Sequence, residues 1–308
     1  MATRAGAAET AETADLDPEA LARIAARRAV VSTMDDRGLT ATELALFGLV
    51  VRAGLRVLKR LAEGRDHGVY CTIVEEVLRA LYLAKCGAVA WGFMKSDTAD
   101  HFAKDRPGDL LVSRLFGLAQ SGKPVRVLFV GHSAGAVFAH YFARAAVRPP
   151  PGLTLDYALL APASRIDLAA DLLVDKPSGL DRLRAFTMGD AREIKDDLDH
   201  TPFGKIYPRS LLYLISGVLE ETPRGRSYAD APILGLERHL ERDTGLSASE
   251  RKARAKIKKV FADEIIYAPT DQGPGRQCDT HTHGTIDHDT ATLASLISLA
   301  RDGYKPPP

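Results

Sequence analysis

The chain is poor in cysteine: Cys71, Cys86 and Cys278 are the only three in 308 residues. An odd, scattered set without metal or redox spacing excludes a disulfide framework and predicts free, structural thiols. An excess of either charge is also lacking. Lys+Arg number 41 and Asp+Glu 40, a net charge of +1, so no global attraction to nucleic acid or to an anionic membrane is expected. No uninterrupted apolar run is long enough to span a bilayer. Met1 to Asp17 is rich in Ala, Thr and Glu without an apolar centre, which excludes a secretory signal. The expectation is a soluble, cytoplasmic protein with no membrane span and no nucleic-acid partner; the oligomeric state stays open.

What the chain does have is enough apolar residue, 45%, for a sizeable core in one large α/β domain or a domain with an appendage. The stretch Val125–Val147 organises it. Val125-Arg126-Val127-Leu128-Phe129-Val130 is a short, nearly continuous apolar run, suited to a parallel strand covered on both faces. Gly131-His132-Ser133-Ala134-Gly135 follows, and then an Ala-rich helix that stops before Pro149. A serine acts as a nucleophile only when its Oγ is exposed, held still and near a base, and a tight strand-to-helix turn achieves that. The glycines leave out side chains where strand and helix nearly touch, and the new helix directs free N–H groups at the site. Ser133 would attack, and the Ala134 N–H would help bind the oxyanion.

This strand, G-x-S-x-G and helix resemble the nucleophile elbow of the α/β-hydrolase superfamily. The flanking chain reads compatibly. Residues 1–17 form a flexible leader and 18–65 a helical N-terminal region, with a capping box at Thr40-Ala41-Thr42-Glu43. First strands could be hidden in Ala29-Val30-Val31 or Val69-Tyr70-Cys71. The α/β-hydrolase-like domain covers 66–304. It begins with a second capping box, Thr72 to Glu75, and a helix toward Gly87; Gly87 to Met94 then reads as a strand. The resemblance implies that the second oxyanion donor follows such a strand, which makes Gly92, Phe93 and Met94 candidates. A helix over Leu110–Ala119 and strands at Leu153–Ala161 and Leu183–Met188 come next. A helical segment over 208–260, cap or crossover, includes a third capping box, Ser247 to Glu250, and a basic helix read as a solvated face because no aromatics interleave it. Asp263 to Pro269 is the last strand, and Thr290 to Ala300 the final helix. The fold class is therefore α/β: a mostly parallel sheet flanked by helices, with a helical N-terminal region and a helical insertion before the last strand.

In α/β-hydrolases the order is Ser, acid, His, with the acid after a late strand and the His after the last one. That order makes His283 the base, in His281-Thr282-His283-Gly284, with His281 and His288 as alternatives; T-H-G is similar to the ending of some members. It makes Asp190, directly after the strand ending at Met188, the acid, with Asp197 as the alternative and Glu193 and Asp196 nearby. A competing pattern is the ligand-dense run Cys278-Asp279-Thr280-His281-Thr282-His283 with Asp287-His288-Asp289. It resembles the amidohydrolase and metallo-β-lactamase motifs, yet sits too near the C-terminus for the first and has the wrong spacing for the second. The expectation is a serine hydrolase of a small-molecule ester or related acyl substrate, with no cofactor and no metal; the alternative is a non-catalytic hydrolase-like scaffold that binds a ligand or a protein.

Overall fold

A computed structural model describes residues 41–80, 83–196, 198, 206–220, 230–243 and 245–304, with backbone alone at 41–45 and 83–86. The expected leader, residues 18–40 of the expected helical N-terminal region with the candidate strand at Ala29–Val31 and Thr40 of the first capping box, Asp197, and residues 221–229 and Thr244 of the helical insertion lie outside the described residues. The chain forms two compact units, one ending at Leu83 and the other beginning at Ala84.

The first unit contains helices α1 (Ala41–Ala62) and α2 (Val69–Ala80). Val69-Tyr70-Cys71 is thus the first turn of a helix and not a strand. Thr72 lies inside α2, where its hydroxyl accepts from the His67 N–H at 3.0 Å, so the expected capping box there does not form. Buried Arg60 instead ties the pair together, contacting Glu75 at 2.6 Å and Glu76 at 3.1 Å. Taking such charges out of water is tolerable only because each meets its opposite.

In the second unit, α3 (Leu83–His101) and α4 (Pro107–Ala119) precede strand β1 (Val125–His132), helix α5 (Gly135–Ala145) and strand β2 (Leu153–Leu160). The segment α6 (Ile166–Ala170) leads to β3 (Arg182–Met188) and the single turn α7 (Asp190–Glu193). Then come α8 (Leu211–Leu214), α9 (Glu237–Glu241), α10 (Ala248–Phe261), β4 (Ile265–Ala268), a small antiparallel pair β5 (Thr270–Asp271) and β6 (Gln277–Cys278), and α11 (Thr290–Asp302). The four long strands form a parallel sheet in the order β1-β2-β3-β4. Their carboxyl ends therefore share one side, which carries residue 133, the loop after β2, residue 190 and the loop beyond β4. Helices flank the sheet, and no described helix is long and apolar enough to cross a membrane.

Alternation along β1 turns Phe129 toward α5, where it stacks on Phe142 at 5.1 Å and meets Tyr157 of β2 at 6.0 Å. Leu155, Tyr157, Leu159 and Ala185 continue that core. Helix α10 starts at the third capping box as expected: Ser247 accepts from Glu250 N–H and Glu250 from Ser247 N–H. Cys71 and Cys278 are both buried.

The strand expected over Gly87–Met94 is helix α3, which corrects the sequence reading. An eight-residue run rich in Ala and Gly carries no period that separates strand from helix. The distant residue Glu220 decides it: Trp91 Nε1 donates to Glu220 Oε1 at 2.7 Å and Lys95 Nζ to Oε2 at 2.6 Å. Two residues four apart reach one carboxylate only from a helix face.

Candidate active site

Strand β1 runs into the turn at Gly131, and Ser133 sits at the tip with φ +53°. That left-handed backbone costs a non-glycine residue about 1 kcal/mol or more. It is held by its surroundings: Ser133 N–H donates to Leu160 C=O at 2.8 Å, and Ser133 C=O accepts from Ala136 at 3.1 Å and Ala163 at 3.0 Å. The two glycines differ. A Cβ at Gly131 would lie 2.6 Å from Gly135 O, whereas one at Gly135 would meet nothing within 4 Å. Only the first is required by a close approach; the second leaves room over the serine's helix. Ala134 is the N-cap of α5, so its N–H is among those a helix cannot satisfy internally.

His283 opens a short 3-10 turn, His283–Thr285. Its Nε2 stands 3.0 Å from Ser133 Oγ, across 150 residues of sequence. Burial above all, together with the nearby His132 and against the opposing effect of Asp287, pushes this imidazole down from 6.5 to about 3. The ring is thereby held neutral, which leaves one nitrogen able to accept a hydrogen bond, although the same burial weakens it as a base. Nδ1 of His283 is buried without a hydrogen-bond partner among the described residues, while the main-chain N–H donates to Asp196 Oδ2 at 2.8 Å.

The structure does not bring Asp190 to the base. Its Oδ1 accepts from Tyr213 OH at 2.5 Å and its Oδ2 from Arg242 Nη2 at 2.6 Å. The acid expected at the end of β3 is thus engaged by α8 and by the residue after α9, neither of which can be located by reading outward from β3. Asp196, a little further along the chain, is the carboxylate that meets the His283 main-chain N–H. Glu193, fully buried between them, has its carboxyl pushed up to about 8 by burial, against a lowering by Ser210 and with Asp196 and Asp190 raising it.

Gly92 and Phe93 lie in the interior of α3, where N–H groups belong to the i to i−4 ladder; Phe93 has its side chain 64% exposed. They are not loop donors, which corrects the expected second oxyanion position. The ligand-dense run is dispersed as well. Cys278 Sγ accepts from Thr292 at 3.2 Å, Asp279 pairs with Arg192 at 2.9 Å, and Asp289 caps α11 through Thr292 N–H at 2.8 Å. His281 is exposed, and His288 pairs with Asp287 at 2.7 Å.

Sequence reasoning missed His132 and Asp287 and did not select Asp196. His132 lies between Gly131 and Ser133, and its Nε2 lies 3.2 Å from the His283 carbonyl; the sole available signal was its place beside Ser133. Compared with protein-family models, with curated proteins and with solved structures, the chain matches none.

Proposed function

We propose that this protein is a cytoplasmic serine hydrolase of α/β-hydrolase type, cleaving a small-molecule carboxylic ester or a related acyl substrate through an acyl-enzyme. The observation that carries the reading is the 3.0 Å approach of His283 Nε2 to Ser133 Oγ at a residue held in positive φ. In the proposed chemistry, His283 takes the Ser133 proton as Oγ attacks the acyl carbon, and the oxyanion forms beside the Ala134 N–H. The imidazolium then protonates the leaving alcohol. Water then attacks the acyl carbon as His283 takes its proton, the acyl–Oγ bond breaks to release the carboxylic acid, and the imidazolium returns the proton to Ser133 Oγ. Asp196 is the carboxylate proposed to steady the charged base: it already accepts the main-chain N–H of His283, and the unpartnered Nδ1 belongs to the same residue. No cofactor enters this scheme.

The alternative, a binding scaffold, is favoured by one observation: Nδ1 of the base has no hydrogen-bond partner among the described residues. A fluorophosphonate probe separates the two without a guess at substrate. The hydrolase reading expects labelling that disappears in Ser133→Ala and falls sharply in His283→Ala. Absence of labelling in folded wild-type protein would overturn it in favour of the scaffold.

A further inference from the structure

The main chain of the base is gripped on both sides. Its N–H donates to Asp196 at 2.8 Å, and its C=O lies 3.2 Å from His132 Nε2. A carbonyl can only accept, so Nε2 of His132 carries a proton. His132 is the last residue of β1 and the immediate neighbour of Ser133. One turn of chain therefore bears both the reacting hydroxyl and a hold on the group that activates it. Behind His132, Nδ1 faces Asp287 Oδ2 at 3.7 Å, and Asp287 Oδ1 is tied to His288 Nδ1 at 2.7 Å. The His132 and His283 rings are 5.4 Å apart.

We propose that His132 is the positioning residue for the base: it fixes the His283 carbonyl relative to Ser133, with Asp287 standing behind it on its Nδ1 side. The activity arm of this proposal rests on the hydrolase reading above; the hydrogen bond does not. The groups facing the base are then Ser133 on Nε2, Asp196 on its N–H, His132 on its C=O and Asp287 behind His132, with His288 on the far side of Asp287. The two groups act in opposite senses on His283: His132 lowers it and Asp287 raises it.

The test measures fluorophosphonate labelling rates over pH, together with nitrogen NMR of the histidine rings at neutral pH. His132→Phe removes the donor and is expected to slow labelling about ten- to a hundredfold, while His132→Gln, which keeps a donor amide, stays within about threefold of wild type. Because the His132 imidazole lowers His283 and Asp287 raises it, His132→Gln moves the acid limb of labelling to higher pH and Asp287→Asn moves it to lower pH. A side chain that merely packs would shift neither limb. In the wild-type protein a coupling across the hydrogen bond connects His132 Nε2–H to the His283 carbonyl carbon. Labelling by His132→Phe at the wild-type rate, acid limbs that do not separate, or a missing coupling would overturn the proposal. Unlabelled wild-type protein that retains the coupling would sink the hydrolase reading and leave the positioning contact standing. If His132→Phe does not fold, the glutamine and asparagine variants and the coupling decide alone.

Discussion

His283 Nε2 stands 3.0 Å from Ser133 Oγ, and His140 Nε2 stands 2.8 Å from Ser164 Oγ. Burial pushes both imidazoles from 6.5 to about 3. By distance and by basicity the two pairs are alike, yet their surroundings differ. Ser164 is fully buried, and its carbonyl accepts from Leu234 N–H at 2.8 Å. Ser133 is half-buried on a positive-φ turn, beside a helix N-terminus. The inner pair also serves the outer one, because Ala163, next to Ser164, donates to the Ser133 carbonyl, and His140 belongs to the elbow helix α5. A serine–histidine contact alone is thus no sign of chemistry. Access, a positive-φ backbone and a neighbouring helix N-terminus are what set Ser133 apart from the buried Ser164.

The largest expected effect breaks the pairs apart by labelling. Ser133→Ala should abolish fluorophosphonate labelling, and Ser164→Ala should retain it. Loss in both folded variants would remove the distinction. The next effect is on stability, read by urea unfolding. His140→Ala empties a buried ring site and leaves the Ser164 hydroxyl without its partner, at a cost of about 3 kcal/mol. His283→Ala removes a buried ring that already has an unpartnered nitrogen, so its cost should be about 1 kcal/mol. A reversed order would mean that the outer pair, not the inner, bears the fold. A smaller contrast lies in the elbow's glycines: Gly131→Ala forces strand and helix apart for about 2 kcal/mol, whereas Gly135→Ala, in open space within a helix, should change stability by about 1 kcal/mol or less.

Local order made half of this comparison legible. Apolar run, tight turn and Ala-rich helix follow one another between Val125 and Val147, so Ser133 could be chosen from neighbours in sequence. His283 was reachable because the order of strands left one loop after the last of them. The carboxylate that meets His283 was not reachable in this way. Asp190 occupies the right place after β3, but Tyr213 and Arg242 claim it, and those partners come from a helical insertion whose path has no period to read. Asp196 was visible only as one carboxylate among several. Gly92 and Phe93 failed for another reason: an apolar run of eight fits strand and helix equally, and Glu220, over a hundred residues away, chose the helix. His140 and Ser164 gave no signal, since buried polar pairs look in sequence like any polar residue inside an apolar stretch.

The smallest expected effect concerns protons, and it sharpens the comparison by asking whether both rings are neutral for the same reason. Each folded imidazole titrates near 3 and each unfolded one near 6.5. Between those values the unfolded chain binds a proton that the folded chain refuses, so stability is lost as pH falls below about 6.5. From pH about 6.5 to about 5.5 the loss is about 1 kcal/mol for each histidine. His140→Gln keeps a donor for Ser164 and cannot titrate; it should make the pH dependence of the urea midpoint shallower by one histidine's worth. His283→Gln should do the same if its ring is equally shut from water. An unchanged slope in His283→Gln beside a shallower one in His140→Gln would mean that solvent already reaches the outer ring through the opening that a substrate would use.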